Sequence, residues 1–152
     1  ATDLQSGEPI VFQRGNTGTA VRASSSIPGV FPPVTIGGRE YVDGGLVAPI
    51  PARAARGLGA DLVIAVDISS RPSGKTKAGS LDLLLDTISI MGGALGKTEL
   101  AAADVVIRPE LRGLPATNFQ QRHEAILEGE KAGFAAIARV RDAIAAWERK
   151  HN

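Results

Sequence analysis

Residues 51–68 read Pro-Ala-Arg-Ala-Ala-Arg-Gly-Leu-Gly-Ala-Asp-Leu-Val-Ile-Ala-Val-Asp-Ile, and this stretch decides the fold class. Proline suits a helix start, where its missing N–H is no loss, and Gly57 or Gly59 suits a helix end, so 51–58 predicts a short helix. The run 61–68, apolar apart from Asp61 and Asp67 and rich in Val and Ile, predicts a strand buried on both faces. A helix feeding such a strand is the layering of an α/β protein, and α/β is the expected class.

Upstream, 34–36 and 39–42 flank Gly37-Gly38, a hairpin signal. Residues 17–26 predict a helix stopped by Pro28, and 9–13 a short strand. Downstream, 69–79 has no apolar periodicity and carries Arg71, Lys75 and Lys77, which predicts a mobile basic loop. A helix starts at Ser80 and weakens at Gly92-Gly93, a further helical piece reaches Ala103, and 104–108 is a last buried strand. From 119 to 147 one long helix places apolar or small residues at 126, 133, 137, 140, 144 and 147 as a core-facing stripe, with Gly129 and Gly133 marking a close approach to a neighbour.

The chain of 152 residues is the size of one domain, and its 43% hydrophobic and 22% charged residues are ordinary for a folded protein. Seventeen Lys and Arg against 16 Asp and Glu leave +1, too balanced to grip a polyanion, and 4% aromatics offer few stacking platforms, so nucleic acid is not an expected partner. With no cysteine, disulfides, thiolate metal sites and cysteine nucleophiles are excluded. The two histidines, His123 and His151, lack metal-ligand spacing, and no metal is expected. No apolar run approaches the roughly 18 residues of a membrane helix, which favours a cytoplasmic or peripheral location over an integral one. The chain begins at Ala1 without a signal-like segment, and a preceding segment is expected.

Three glycine patterns imitate nucleotide sites. Gly92 to Thr98 ends in Gly-Lys-Thr, but Met91 stands where a phosphate loop needs glycine, and the segment follows a helix. Gly74-Lys75-Thr76 has Ser69 at that position. Gly57-Leu58-Gly59 precedes its strand, whereas a dinucleotide fingerprint follows one. A nucleotide-binding module is therefore the weakest reading. Asp67, at a strand end, reads as a turn cap.

Asp43 stands apart. It is followed by Gly44 and Gly45 and flanked by Tyr41-Val42 and Leu46-Val47, so a carboxylate sits among apolar neighbours at a strand end. Glycines there allow positive φ and close approach of another group. Around it, in order, come Thr2-Asp3-Leu4, Arg22-Ala23-Ser24, Pro28, Phe31, Pro33, Val42-Asp43-Gly44-Gly45, Pro49-x-Pro51, Gly59-Ala60-Asp61 and Ala103-Asp104-Val105-Val106-Ile107-x-Pro109. Together with Glu128-Gly129 and Lys131-Ala132, this ordered set resembles the patatin-like phospholipase family over essentially the whole chain.

The resemblance implies a three-layer α/β/α fold and a lipid acyl hydrolase, phospholipase A or esterase-like, working through a Ser-Asp dyad with no histidine and no cofactor. It assigns the base to Asp43, with Gly44 and Gly45 as its supporting loop. Ile27, Pro28, Val30 and Phe31 are candidates to line an acyl pocket. The family's nucleophile sits in a Gly-x-Ser-x-Gly elbow, and no serine of these 152 residues has glycine two positions before it. Residues 1–152 are thus expected to be the carboxyl-terminal part of one catalytic domain, inactive alone, whose partners are an amino-terminal segment bearing the serine and oxyanion loop and a lipid or ester substrate. Ser24, Ser25 and Ser26 are expected to pack beneath the Asp43 loop rather than react. The rival reading is a non-catalytic α/β interaction module in which Asp43 is only a turn.

Overall fold

The computed structural model describes residues 1–69, 79–111, 114 and 119–151. It divides into two compact units, one of Ala1–Pro49 and Arg71–Lys97, the other of Ile50–Ser70 and Thr98–Asn152. Both mix helix and sheet, so the chain is of the α/β class. The basic residues Arg71, Lys75 and Lys77 of the expected loop 69–79 lie outside the described residues.

The first unit is built on a three-stranded antiparallel sheet in the order β1 (Thr2–Asp3), β3 (Arg39–Val42), β2 (Val34–Ile36). Gly37 and Gly38 turn the β2–β3 hairpin with φ of 60° and 78°. That two-residue turn, with both φ positive, matches strand twist and excludes most side chains. Helix α1 (Thr17–Ser24) starts where the Asn16 side chain accepts the Thr19 N–H at 2.9 Å. It presents Ala23, which is fully buried, to Val34 and Tyr41, and Ile10, Phe12 and Ile36 close the cluster. Phe12 meets Tyr41 edge to face at 5.2 Å.

The strand expected at 9–13 does not form. The β3 edge it would need is taken by β1, and 8–10 instead lies beside 1–3 through Asp3 N–H to Glu8 O (3.0 Å) and Ile10 N–H to Ala1 O (2.8 Å), with one bridge at Thr2–Pro9.

Helix α3 (Ser80–Leu100) runs unbroken for 21 residues, so the expected weakening at Gly92-Gly93 is absent. Two helical glycines cost about 1 kcal/mol each, too little to break a helix of this length. At Gly92 the missing side chain leaves space that a Cβ would fill to 4.0 Å from Gly45 O and the Pro49 Cβ. The Gly92 to Thr98 segment is helical throughout, which removes the phosphate-loop reading.

In the second unit β4 (Ile64–Val66) pairs in parallel with β5 (Val105–Ile107), and the long helix α4 (Arg122–His151) packs on β5. Helix α2 (Ala52–Gly57) precedes them, and Gly59, at φ 95°, turns the chain away. Arg56 ties these pieces together. Its guanidinium donates to Ala60 O (3.1 Å), Asp61 O (2.6 Å) and Ala102 O (3.2 Å) and pairs with the Asp104 carboxylate, which also accepts the Val63 N–H at 2.7 Å.

Two expectations fail here. The 61–68 run is not buried on both faces: Val63 and Ala65 are inside, whereas Ile64 and Val66 are 41% and 52% exposed. The ladder has two strands, and its alternation leaves the Ile64 and Val66 face uncovered among the described residues. The core-facing stripe of α4 is also displaced. Ala136 is its buried residue, with Ala125, Gly129, Ala132, Val140 and Ala143 half-buried on the same side, while Ile126, Ile137 and Ile144 are exposed. One residue is 100° of helix, so small residues form the packed face. Gly129 and Gly133 face open space and mark no close approach.

Candidate active site

β3 delivers Asp43 to the end of the antiparallel sheet, where backbone and side-chain hydrogen bonds hold it. Its N–H donates to Ser26 O at 3.0 Å, and its carbonyl accepts the hydroxyl of the buried Thr2 at 2.8 Å. The side chain then caps the single 3-10 turn Gly44–Leu46, Oδ1 accepting the Gly45 N–H at 2.7 Å. The residue is half-buried, and among the described residues its second oxygen, Oδ2, accepts no hydrogen bond.

The two glycines are required by proximity, since neither has positive φ as the sequence had suggested. A Cβ on Gly45 would stand 3.0 Å from Asp43 Oδ1, and one on Gly44 would stand 3.3 Å from the Ala1 nitrogen. Either would press on the carboxylate or on the strand that anchors it.

The three serines divide. Ser26 is buried, its hydroxyl donating to Arg22 O at 2.8 Å while its carbonyl holds Asp43. Ser24 lies by Gly44, whose added Cβ would be 3.7 Å from its Oγ. Ser25 is exposed and donates to Val21 O.

The apolar residues 27–31 leave directly from Ser26. Ile27 and Pro28 are half-buried, Val30 and Phe31 exposed. Gly29, at φ 82°, lets this loop lie on α3, since a Cβ there would fall 2.9 Å from Leu81 Cδ1 and 3.3 Å from Leu84 Cδ2. α3 therefore touches the apolar loop near Leu81 and the Asp43 loop at Gly92, 11 residues or about 16 Å further along its axis. Leu81, Leu84 and Met91 are exposed on it.

Two supports were not legible in the sequence. Thr2 reaches Asp43 from 41 residues away, and Asp3, which is buried, pairs with Arg39 at 2.5 Å while accepting the Gln5 N–H at 2.8 Å. The Arg39 guanidinium, then the Gln5 and Ser6 amides, outweigh burial and hold the Asp3 carboxyl below the usual carboxylate range. Neither pairing leaves a local signal.

The other acidic candidates serve structure. Asp67 caps the Ser69 N–H and pairs with Arg108 at 2.9 Å; burial raises its pKa, but the Ser69 hydroxyl and Arg108 together bring it below the usual range. His123 and His151 both belong to the second unit, and the unit holding Asp43 contains no histidine. Among the described residues no helix is long and apolar enough to cross a membrane.

The Asp43 carboxylate is thus held through Oδ1, on a loop that lies near the apolar residues 27–31 and α3. Residues 12–56, which include α1, the hairpin and the Asp43 loop, match the patatin-like phospholipase family. That match and the relatives below support a patatin-like phospholipase family for the chain, one with phospholipase-type hydrolases among its members. It is 43% identical over 77 residues to an uncharacterized NTE family protein of Mycobacterium tuberculosis, covering 51% of this chain and 21% of that protein. A second such protein of the same species is 29% identical over 162 residues, covering 90% and 28%. The lysophospholipase nte1 of Aspergillus oryzae is 36% identical over 69 residues, covering 45% and 4%. The chain thus spans between a fifth and a third of the mycobacterial relatives' length.

Proposed function

We propose that this chain supplies the general base of a serine acyl-ester hydrolase acting on lipids or related esters, and that the base is Asp43. The observation that carries the reading is the asymmetry of its carboxylate: Oδ1 is held by the Gly45 amide, while Oδ2 accepts no hydrogen bond among the described residues. In the proposed reaction Oδ2 takes the proton of a serine hydroxyl as its oxygen attacks the ester carbonyl. The same proton passes to the leaving alcohol when the C–O bond breaks and the acyl-enzyme forms. Water then repeats the sequence, losing a proton to Asp43 and releasing the acid and the serine.

The serine and the donors for the oxyanion belong, on this reading, to a preceding segment of a longer polypeptide, since no serine here stands in a Gly-x-Ser-x-Gly elbow. Residues 1–152 are then the carboxyl-terminal part of the catalytic domain. A dyad without histidine is what the resemblance to the family implies. The 27–31 loop and the exposed leucines of α3 are suited to an acyl chain, because their burial against it removes apolar surface from water.

The test is to express the polypeptide with its upstream coding sequence and measure p-nitrophenyl ester turnover and fluorophosphonate labelling. Turnover and labelling by the longer form, with neither in residues 1–152 alone, is the expected result. A longer form that neither hydrolyses esters nor labels would leave the non-catalytic interaction module as the reading.

A further inference from the structure

Helix α4 carries a second ordered face. Roughly 120° round from buried Ala136, positions 127, 130, 134, 137, 141 and 144 follow one another at spacings of 3, 4, 3, 4 and 3, the seam of a coiled coil. They are Leu127, Glu130, Phe134, Ile137, Arg141 and Ile144, all of them exposed, and Phe134 is 73% exposed. Glu130 and Arg141 form no ion pair among the described residues.

Reflected about its midpoint, the seam sets apolar residues against apolar ones and each charge against an opposite charge. About a midpoint between Ala135 and Ala136, Leu127 mirrors Ile144, Phe134 mirrors Ile137, and acidic Glu130 mirrors basic Arg141. The next seam positions outward, His123 and Glu148, again oppose a basic type to an acidic one. A two-fold axis through the midpoint, perpendicular to the helix, would bring each residue against its mirror on a second copy. An antiparallel pair has that symmetry.

We infer that α4 is a homodimerisation helix, packing antiparallel against α4 of a second copy with Leu127 on Ile144, Glu130 on Arg141 and Phe134 on Ile137. Charge decides the orientation. A parallel pair in register would place Glu130 on Glu130 and Arg141 on Arg141, a repulsion at two layers, whereas the antiparallel pair satisfies both. The two ion pairs lose hydration on docking and so add little affinity, but they fix register, while the apolar layers supply the driving force. The seam spans 26 residues from 123 to 148, about 38 Å of helix.

The experiment uses the 152-residue chain, whose freedom from cysteine gives a clean background. Sedimentation equilibrium is expected to give twice the chain mass at micromolar concentration. Glu130→Arg and Arg141→Glu alone are each expected to shift the chain to monomer, with helical circular dichroism unchanged, and the double exchange to restore the dimer. Phe134→Cys and Ile137→Cys chains, oxidised as a mixture, are expected to form the mixed disulfide in preference to either homodisulfide. A monomer at all concentrations, a dimer indifferent to the single reversals, or preferred 134–134 linkage would overturn the proposal. So would a longer polypeptide that is monomeric because its own flanking residues cover this face.

Discussion

Asp43 and Gly45 are locked together: the Gly45 amide donates to Asp43 Oδ1 at 2.7 Å, and the same glycine leaves only 3.0 Å between that oxygen and any Cβ placed on it. One residue thus both aims the carboxylate and leaves it space.

It follows that Gly45→Ala should damage catalysis more than folding. Its φ is not in the left-handed region, so alanine is tolerated by the backbone, but the added methyl must displace the aimed oxygen. Ester turnover of the longer polypeptide should fall by at least about tenfold, given how steeply catalysis depends on sub-ångström positioning. The melting temperature should move little. Gly44→Ala presses on the Ala1 backbone instead and should lower thermal stability as well.

Acid should unfold the chain through named carboxylates. Arg39 lowers the Asp3 pKa, and the Val63 amide, ahead of Arg56, lowers that of Asp104. A carboxylate depressed in the folded state stabilises above its unfolded pKa of about 3.9, and that contribution is lost as pH falls through the folded value. Asp3→Asn and Asp104→Asn should therefore lower stability at pH 7, with the gap to the parent closing below about pH 4. Urea titrations across pH 2–7 check this, and a gap that is constant with pH would contradict it.

Helix α4 offers opposite effects at two small residues. Gly129 meets open space, so Gly129→Ala should stabilise by about 0.5–1 kcal/mol through the backbone alone. Ala136 is fully enclosed, so Ala136→Leu should destabilise by about 1–3 kcal/mol through overpacking. Chemical denaturation of the two variants reads both signs. Reversed signs would restore the packed face to the larger residues at 126, 137 and 144.

Local chemistry made part of this fold readable. The hairpin is written in Gly37-Gly38, because few other residues take two successive positive φ angles, and α2 is written in Pro51 and the glycines after it. The two-residue strand β1 carries no periodicity, and its pairing with β3 is set across the chain. Burial of β4 depends on what covers it, which a run of Val and Ile does not specify. The packed face of α4 was obscured because Ala125, Ala132 and Ala136 carry weak hydrophobic signal beside the strong signal of Ile126 and Ile137. Asp43 was legible because its two glycines are adjacent in sequence, whereas Thr2 and Ser26, which hold it, are not.

The most direct measurement is kcat for a short-chain aryl ester with Asp43→Asn in the longer, serine-bearing polypeptide, alongside its melting temperature. The base role predicts a fall of about 10²- to 10⁴-fold with the fold kept, because asparagine preserves the Gly45 contact through its carbonyl oxygen but accepts no proton. Near-parental turnover by that folded variant would contradict it.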